Sequence, residues 1–273
     1  MCIRDSNHPE LHFISTAYVA GDVQRVITPD ELDLKAPFKN AYENTKAQAE
    51  ALVRTYQDEF KCVIYRPSIV VGDSITGETS AFNVLYPAIK FFLRGLFIGV
   101  PACPKIPFDI VPVDYVADCI IEIMSLEIKS GSCYHLSSGV DRETNPQEII
   151  ELAVLTAQKF GQKHFHIPAF ISQELLSKAF SRVYQAREFI KILEKKVTKR
   201  ISLFDQILPF IPYMVRNPQF DSSLTHSILP NRKGFAPKFD TYSEEIFAYC
   251  LETNWGKIPW SNPRNKNHWF SRV

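Results

Sequence analysis

Tyr42 and Lys46 are the residues whose types and spacing most directly suggest chemistry. They lie four positions apart in the alanine-rich stretch "NAYENTKAQAEAL", residues 40–52, which predicts a helix. Residues four apart on a helix share one face, with Cβ atoms about 5–6 Å apart. An ammonium group at that distance favours the phenolate and lowers a phenol pKa that is ordinarily about 10. A phenol tuned in this way can donate a proton to a carbonyl oxygen. The alternative interpretation is a half-buried aromatic beside a solvated lysine.

Spacing alone does not identify this pair, because Tyr86 and Lys90 in "YPAIK" repeat it. Chance predicts roughly 0.7 such pairs in a chain of this composition. Context favours the first pair, since Tyr42 follows the β-rich run "FISTAYV" and precedes the β-rich run "VIYRPSIVVG". Tyr86 is not flanked by β-rich runs in this way. We therefore predict chemistry at Tyr42 and none at Tyr86.

The elements that must position these residues alternate along the chain. The β-rich runs are "LHFISTAYV", "CVIYRPSIVVG", "FDIVPV" and "SCYHLSS". Helices are predicted at about residues 42–60, in "SAFNVLYPAIKFFLRG" with a break or start at Pro87, and in "DYVADCIIEIMSL" with Asp114 as its cap. The order predicts an α/β fold with a parallel sheet covered on both faces.

The first helix is predicted to be amphipathic. Its apolar positions recur at spacings of three and four, which predicts that they face the core; they are Ala49, Leu52, Val53, Tyr56 and Phe60.

Composition excludes several classes of protein. The 273 residues carry 31 basic and 30 acidic side chains, a formal charge of +1, so no basic excess favours nucleic acid. The six cysteines form no C-x-x-C pair, which is typical of free thiols in a reducing compartment, and we expect a cytoplasmic protein. The longest apolar stretch is interrupted by Arg94 and Pro101, so no transmembrane helix is predicted.

Several blocks together resemble a known family. The ordered blocks "FISTAYVAG", "YENTKAQAE", "VIYRPSIVVGDSITG", "FDIVPVDYVAD" and "YHLSSG" are similar to the extended short-chain dehydrogenase/reductases. The closer resemblance is to the branch of fatty acyl-CoA reductases and terminal thioester reductase domains. It runs from about Leu11 to Gly139 and implies a doubly wound, Rossmann-like sheet.

The resemblance also implies roles for individual residues. Tyr42 would be the proton donor, and Lys46 would tune it and bond the cofactor ribose. Thr16 would be the catalytic hydroxyl that stabilises the developing oxyanion, with Ser15 as its neighbour near the nicotinamide. Pro67, Ser68 and Ile69 match the segment that packs along the nicotinamide ring. The alternative for Ser15 and Thr16 is two small polar residues that end a strand.

The implied activity is reduction of an acyl thioester, acyl-CoA or carrier-protein-bound, to an aldehyde or alcohol with NADPH, or with NADH. Two alternatives stay open. One is a sugar-nucleotide epimerase or dehydratase, which shares the same three catalytic residues. The other is a degenerate binding or scaffold module without catalysis. The abundant phenylalanines are explained mostly by core packing, and a minority would suit an acyl pocket.

The ten glycines form no G-x-G-x-x-G or G-x-x-G-x-x-G phosphate cradle. We therefore expect an N-terminally truncated reductase that is inactive as it stands. Residues 1–6 are expected to be an artefactual leader, and residues 7–140 a partial NAD(P)-binding domain with an insertion at about 76–95. Residues 141–273 are expected to form a mainly helical substrate lobe.

Two further patterns carry weaker predictions. His164 and His166 in "HFH" lack metal-ligand partners, so we favour a packing role. A basic helix holds Lys195, Lys196, Lys199 and Arg200, which could make a peripheral contact with anionic lipid or bind a CoA phosphate. We prefer a solvated helix face.

Overall fold

The computed structural model describes residues 10–93, 99–100, 102–161, 169–170, 211–229 and 234–259. The strands in these ranges are β1 (Glu10–Ile14), β2 (Val26–Ile27), β3 (Lys61–Pro67), β4 (Ile69–Val71), β5 (Gly99–Val100), β6 (Ile110–Pro112), β7 (Ser132–Leu136), β8 (Ala169–Phe170) and β9 (Gln219–Phe220). The α-helices are α1 (Ala41–Thr55), α2 (Leu85–Leu93), α3 (Val113–Met124), α4 (Pro146–Lys159), α5 (Ile211–Val215), α6 (Ser223–Ile228) and α7 (Ser243–Glu252). Short 3₁₀ helices occupy Ala17–Ala20 and Phe239–Thr241.

Three strands form a parallel sheet in the order β1-β3-β7, so β3 is its middle strand. Ile14 lies opposite Tyr65, and Pro67 lies opposite Leu136. Because β3 is paired on both sides, its residues 62–67 are all buried. Every strand pair among the described residues is parallel, so the predicted α/β fold is confirmed.

The run "CVIYRPSIVVG" forms two strands, where the sequence predicted one. The chain changes partner at Ser68, whose N–H still donates to Leu136 of β7, whereas the N–H of Ile69 donates to the carbonyl of Asp109. From there β4 pairs with β6. Pro67 has no N–H to continue the first ladder, which is the physical reason for the break at this point.

The predicted buried face of the first helix is wrong. α1 ends at Thr55, and Leu52 and Tyr56 are 59% and 40% exposed. The residues that α1 buries are Glu43, Ala47 and Glu50. Two carboxylates can occupy a buried face because each has hydrogen-bond partners there.

Glu50 is held by Arg66 of β3 in an ion pair of which both members are fully buried. The Arg66 Nε and Nη2 atoms donate to the two carboxylate oxygens at 3.0 and 2.7 Å. Burial raises the pKa of Glu50, but the bonds and charge of Arg66 outweigh it and leave this pKa below its ordinary value. Arg66 also donates to the carbonyl of Glu31 at 2.8 Å, so one side chain joins α1, β3 and the loop before α1.

His135 of β7 extends this network to the C-terminal part of the chain. Its Nε2 lies 3.4 Å from Arg66 Nη1, and its Nδ1 lies 3.0 Å from the carbonyl of Asp221. A guanidinium only donates, so Nε2 accepts and the Nδ1–H donates to Asp221. Burial, with the nearby Arg66 charge, lowers the pKa of His135 to about 4, which agrees with this neutral tautomer.

Asp114 is not the cap of α3, which corrects the prediction. The N-cap position is Pro112, and Asp114 lies in the first turn of the helix. Its carboxylate accepts from the N–H and the hydroxyl of Ser74 at 2.8 and 2.6 Å. The side chain therefore fastens the loop after β4 to the helix. For the second helix, the sequence predicted a break or a start at Pro87. α2 begins at Leu85, two residues before Pro87, so this proline lies in the first turn of the helix.

The later helices share a core with the first half of the chain. α4 packs against α7, and Ile246 and Phe247 of α7 belong to the same apolar cluster as Ile69 and Ile110. Phe82 packs against this cluster and contacts the rings of Tyr86, Tyr249 and Trp255. Phe92 is buried there too, so core packing accounts for both phenylalanines.

The five cysteines among the described residues are all free thiols, namely Cys62, Cys103, Cys119, Cys133 and Cys250. No helix in the described ranges has the length and apolarity needed to cross a bilayer.

Several sequence predictions fall outside the described residues: the leader at residues 1–6, the histidines at 164 and 166, and the basic residues at 195–200.

His135 predicts a specific pH dependence of stability. An unfolded histidine titrates near 6.5 and the folded one near 4, so the unfolded chain binds more protons between these values. Stability should therefore fall as the pH drops from 6.5 to 4, by about 3 kcal/mol from this group. Urea unfolding at several pH values measures this change.

The matched variant is His135→Gln, which keeps one donor and one acceptor but does not titrate. Its free energy of unfolding should change less across the same pH window. If the free energy of unfolding changed equally with pH in the unsubstituted protein and in His135→Gln, the prediction would be contradicted.

Candidate active site

Thr16 lies two residues beyond the end of β1, where it is the N-cap of the first 3₁₀ helix. Its Oγ1 accepts the N–H of Tyr18 at 3.3 Å and lies 3.5 Å from the carbonyl oxygen of Pro67. The residue is only 5% exposed. Thr16 therefore sits at the carboxyl ends of β1 and β3, the edge where ligands bind in parallel sheets.

Tyr42 is the second residue of α1, and its phenol lies near the Thr16 side chain. Burial raises the pKa of Tyr42, and the nearby Thr16 hydroxyl offsets part of this rise. Tyr42 nevertheless keeps 56% of its surface exposed, so the phenol remains open to a ligand.

Lys46 reaches the same edge of the sheet. Its Nζ donates to the carbonyl of Ile14, the last residue of β1, at 2.8 Å, and lies 5.3 Å from the ring centroid of Phe13. The sequence predicted that Lys46 lowers the pKa of Tyr42. The structure contradicts the direction, because burial dominates and Thr16 is the group that lowers this pKa.

The other predicted site residues lie at the same edge of the sheet as Thr16 and Lys46. The N–H of Ser15 donates to Tyr65 at 2.7 Å, and its buried hydroxyl lies near the Glu50 carboxylate. Pro67, Ser68 and Ile69 form the stretch where the chain passes from β3 to β4. The structure thus brings all the predicted site residues to one edge of the sheet, and their catalytic and cofactor-binding roles remain predictions.

The first turn of α1 has supports that the sequence analysis missed. Asn40 caps the helix, accepting the N–H of Glu43 at 3.0 Å. The buried Glu43 carboxylate accepts from the Tyr213 hydroxyl and, at 2.8 Å, from the N–H of Lys39. The sequence feature that could have predicted these contacts is the Asn-x-x-Glu spacing, which resembles a capping box. These bonds fix the turn that carries Tyr42.

Lys39 ties the same turn to the C-terminal segment. Its Nζ donates to Asn217 Oδ1 at 3.0 Å and lies 4.5 Å from the ring centroid of Tyr213. Burial lowers the pKa of Lys39 to about 8.

Tyr86 has a different environment from Tyr42. It is 3% exposed, and its hydroxyl accepts the N–H of Gly72 at 2.8 Å. Burial raises its pKa. Lys90 Nζ lies 5.6 Å from the ring centroid of Trp255. This tyrosine supports the turn after β4 from within the core.

The geometry suits one end of a nicotinamide cofactor. The exposed Tyr42 phenol, Thr16 and the stretch from Pro67 to Ile69 meet at one edge, where a planar ring could lie beside two hydroxyl groups. Lys46 at the end of β1 is placed to bond a ribose. No glycine-rich turn occurs anywhere in the sequence for the pyrophosphate. The residues present therefore fit the nicotinamide end only.

Residues 1–120 match the family described as Male sterility protein, an NAD-binding family. The chain is 25% identical over 137 residues to the nonribosomal peptide synthetase asaC of Aspergillus flavus, covering 46% of this chain and 13% of asaC. It is 28% identical over 119 residues to an Arabidopsis thaliana protein named as fatty acyl-CoA reductase 7, covering 41% of this chain and 29% of that protein. The match thus spans less than a third of each of these two relatives.

Solved structures share the fold. The terminal R domain from the myxalamid PKS-NRPS biosynthetic pathway matches 92% of this chain and 60% of its own, with a TM-score of 0.67 at 20% identity. MoeE5 in complex with UDP-glucuronic acid and NAD matches 94% of this chain and 67% of its own, with a TM-score of 0.56 at 17% identity. Residues 1–120, somewhat less than half of the chain, are thus similar to the Male sterility protein family, and the curated relatives are a peptide synthetase and a fatty acyl-CoA reductase.

Proposed function

We propose that the full-length protein reduces an acyl thioester, bound to CoA or to a carrier protein, to an aldehyde or alcohol. The observation that carries this proposal is the meeting of Thr16, Tyr42 and Lys46 at the carboxyl ends of β1 and β3. The names of the relatives, a peptide synthetase and a fatty acyl-CoA reductase, support the thioester as substrate class. The family match supports NADPH, with NADH as the alternative cofactor.

Each residue of the site has one task in this reaction. The cofactor, when bound, supplies the hydride that adds to the thioester carbonyl carbon. Tyr42 donates its proton to the carbonyl oxygen as negative charge develops there. The Thr16 hydroxyl donates to the same oxygen, which stabilises the oxyanion before proton transfer. When the carbon–sulfur bond then breaks, the proton on the oxygen is lost and the leaving sulfur is protonated, so the products are the aldehyde and the free thiol.

The raised pKa of Tyr42 has a consequence for this step. A phenol whose pKa lies above its ordinary value is protonated at neutral pH, so Tyr42 holds the proton that the reaction needs. Groups that stabilise the phenolate would make it a stronger acid, and the nearby Thr16 hydroxyl is one such group.

Two other functions would use the same fold. A sugar-nucleotide epimerase or dehydratase shares the tyrosine, lysine and hydroxyl, and a scaffold module would keep the frame without turnover. Following NADPH absorbance in the full-length protein with acyl-CoAs, acyl carrier proteins and nucleotide sugars separates the three. Oxidation that depends on a thioester supports our proposal, and conversion of a nucleotide sugar alone overturns it. We also propose a cytoplasmic location, which the five free thiols support.

The roles of the two tyrosines predict opposite effects of the same substitution. In the full-length protein, Tyr42→Phe should lower kcat by about 10²–10⁴, because the reaction loses its positioned acid. Tyr86→Phe should leave kcat within about threefold, since its hydroxyl only accepts the Gly72 N–H. It should instead cost about 1 kcal/mol of stability for the lost hydrogen bond. Steady-state kinetics and urea unfolding of both variants measure these effects, and equal losses of kcat would refute the assignment.

Cofactor affinity gives a second prediction for this proposal. The 273-residue chain alone should show no micromolar binding of NADPH by calorimetry and no thioester-dependent NADPH oxidation. The physical reason is that the sequence offers no glycine-rich turn and helix N-terminus to the pyrophosphate. A full-length protein that contains such a turn is the positive control. A micromolar dissociation constant for the chain alone would show that another part of it holds the pyrophosphate.

A further inference from the structure

The first turn of α1 is hydrogen-bonded to a short helix that lies far along the chain. Tyr213 of α5 donates its hydroxyl proton to Glu43 Oε1, a residue 170 positions earlier in the sequence. The same hydroxyl accepts a hydrogen bond from Asn40 Nδ2 at 2.7 Å. The N–H of Glu43 in turn donates to Asn40 Oδ1 at 3.0 Å. The three residues therefore form a closed circuit of hydrogen bonds around the start of α1.

The circuit lies in the interior of the protein. Glu43 is 0% exposed and Tyr213 is 7% exposed. Burial raises the pKa of Glu43, and the bond from Tyr213 is the largest influence that opposes this rise. Removing the Tyr213 hydroxyl would take this donor from a buried carboxyl oxygen, which is costly in a place that water does not reach. The turn would then shift to find other partners.

Tyr213 is itself anchored to other parts of the fold. The side-chain amide of Asn217 donates both to the carbonyl of Tyr213 and, at 3.1 Å, to the carbonyl of Pro107. The N–H of Cys103 donates to the carbonyl of Met214, the next residue of α5, at 2.8 Å. Because these bonds hold the backbone of α5, Tyr213 is a fixed point for α1 and does not simply follow its movements.

Tyr213 also contacts the segment that carries Thr16. Its ring packs edge-on against the ring of Tyr18, with 5.1 Å between the centroids. The N–H of Tyr18 donates to Thr16 Oγ1 at 3.3 Å. On the other side, the partner of the Tyr213 hydroxyl is Glu43, the residue directly after Tyr42. One side chain therefore contacts the neighbours of both hydroxyl-bearing residues of the candidate site.

The position of Tyr42 depends on the backbone that carries it. The side chain is 56% exposed, so packing against other residues holds it only in part. In the proposed reaction, Tyr42 and Thr16 must both reach one oxygen of the substrate. A displacement of about 1 Å in such a pair can slow a reaction about 10²-fold. A contact that fixes the first turn of α1 relative to Thr16 therefore affects the rate directly.

We propose that Tyr213 is a positioning residue for the reaction, because its hydroxyl holds the first turn of α1 so that Tyr42 and Thr16 reach the same oxygen. This inference rests on the proposed thioester reductase function and adds a residue from the C-terminal segment to it. Tyr213 acts through Glu43 and Asn40 and takes no part in the hydride or proton transfer.

A double-mutant cycle tests whether Tyr213 acts through Tyr42. Tyr213→Phe removes the hydroxyl but keeps the ring that packs against Tyr18. In the full-length protein it should slow single-turnover hydride transfer from bound NADPH about tenfold or more, with the dissociation constant of NADPH within about threefold. In a Tyr42→Phe background, the same substitution should slow the transfer less than about twofold, because the side chain that it positions is already disabled.

The matched control is Tyr115→Phe, which removes a similarly buried hydroxyl that donates to the carbonyl of Gly234 at 3.0 Å. It should leave the rate within about twofold in both backgrounds. If Tyr213→Phe slowed the transfer equally with and without the Tyr42 hydroxyl, its effect would be general destabilisation and the proposal would be overturned. A loss no larger than that of Tyr115→Phe would overturn it too.

Asn40→Ser gives a second variant that leaves Tyr213 unchanged. Serine keeps an N-cap oxygen for the Glu43 N–H but has no N–H to donate to the Tyr213 hydroxyl. We expect hydride transfer about threefold or more slower, and again no such loss in the Tyr42→Phe background. A loss that is undiminished in that background would contradict a positioning role for the circuit.

Hydrogen exchange measures the position of the turn without turnover. The amides of Glu43 and Asn44 both donate to Asn40, so their exchange reports on the first turn of α1. In full-length Tyr213→Phe they should exchange about tenfold faster or more, while the amides of β3 stay unchanged. Unchanged exchange at Glu43 and Asn44 would overturn the inference. Absence of thioester-dependent NADPH oxidation in the unsubstituted protein would instead overturn the proposed function, so the two failures are distinguished.

Discussion

The buried ion pair between Glu50 and Arg66 is the interaction on which the rest of the described structure depends. Both side chains are fully buried, and removing one member of such a pair typically costs about 3–5 kcal/mol because the other charge is left unpaired. The pair joins α1 to the middle strand of the central sheet. α1 carries Tyr42 and Lys46, and β3 leads directly into Pro67 and Ser68. One ion pair therefore fixes the relative positions of the two elements that build the candidate site.

The buried polar groups around Arg66 form a paired network. The described donors and acceptors of Glu50 and His135 have partners there, which gives a rigid support for the candidate site.

Much of the fold was predictable from the sequence, because β-rich runs and helical periodicity report directly on burial. β1, β3, β6 and β7 lie in the predicted runs, and α1, α2 and α3 lie in the predicted helices. The buried face of α1 was not predictable from hydrophobic periodicity, because two of its three buried residues are glutamates. The available clue was Arg66, a charge inside an otherwise apolar run, which requires a buried carboxylate as partner. The break at Ser68 depends on a change of strand partner, and the partner of Asp114 is a loop residue; neither is visible in local sequence.

The positions of Thr16, Tyr42 and Lys46 at one edge follow from the strand–helix order. The raised pKa of Tyr42 could not be predicted from the sequence, since the balance between burial and Thr16 is a property of the folded site.

The central claim is that Glu50, through Arg66, holds α1 so that Tyr42 meets the substrate oxygen beside Thr16. The most direct measurement is the single-turnover rate of hydride transfer from bound NADPH to a thioester in full-length Glu50→Gln. Glu31→Gln, which alters side-chain bonds with Arg25 and Thr28 but keeps the backbone carbonyl that Arg66 contacts, is the matched control. We predict that Glu50→Gln slows hydride transfer by about 10²-fold while the dissociation constant of NADPH stays within about threefold, because a displacement of about 1 Å has this effect on the rate. A folded Glu50→Gln protein that transfers hydride as fast as Glu31→Gln would contradict the account.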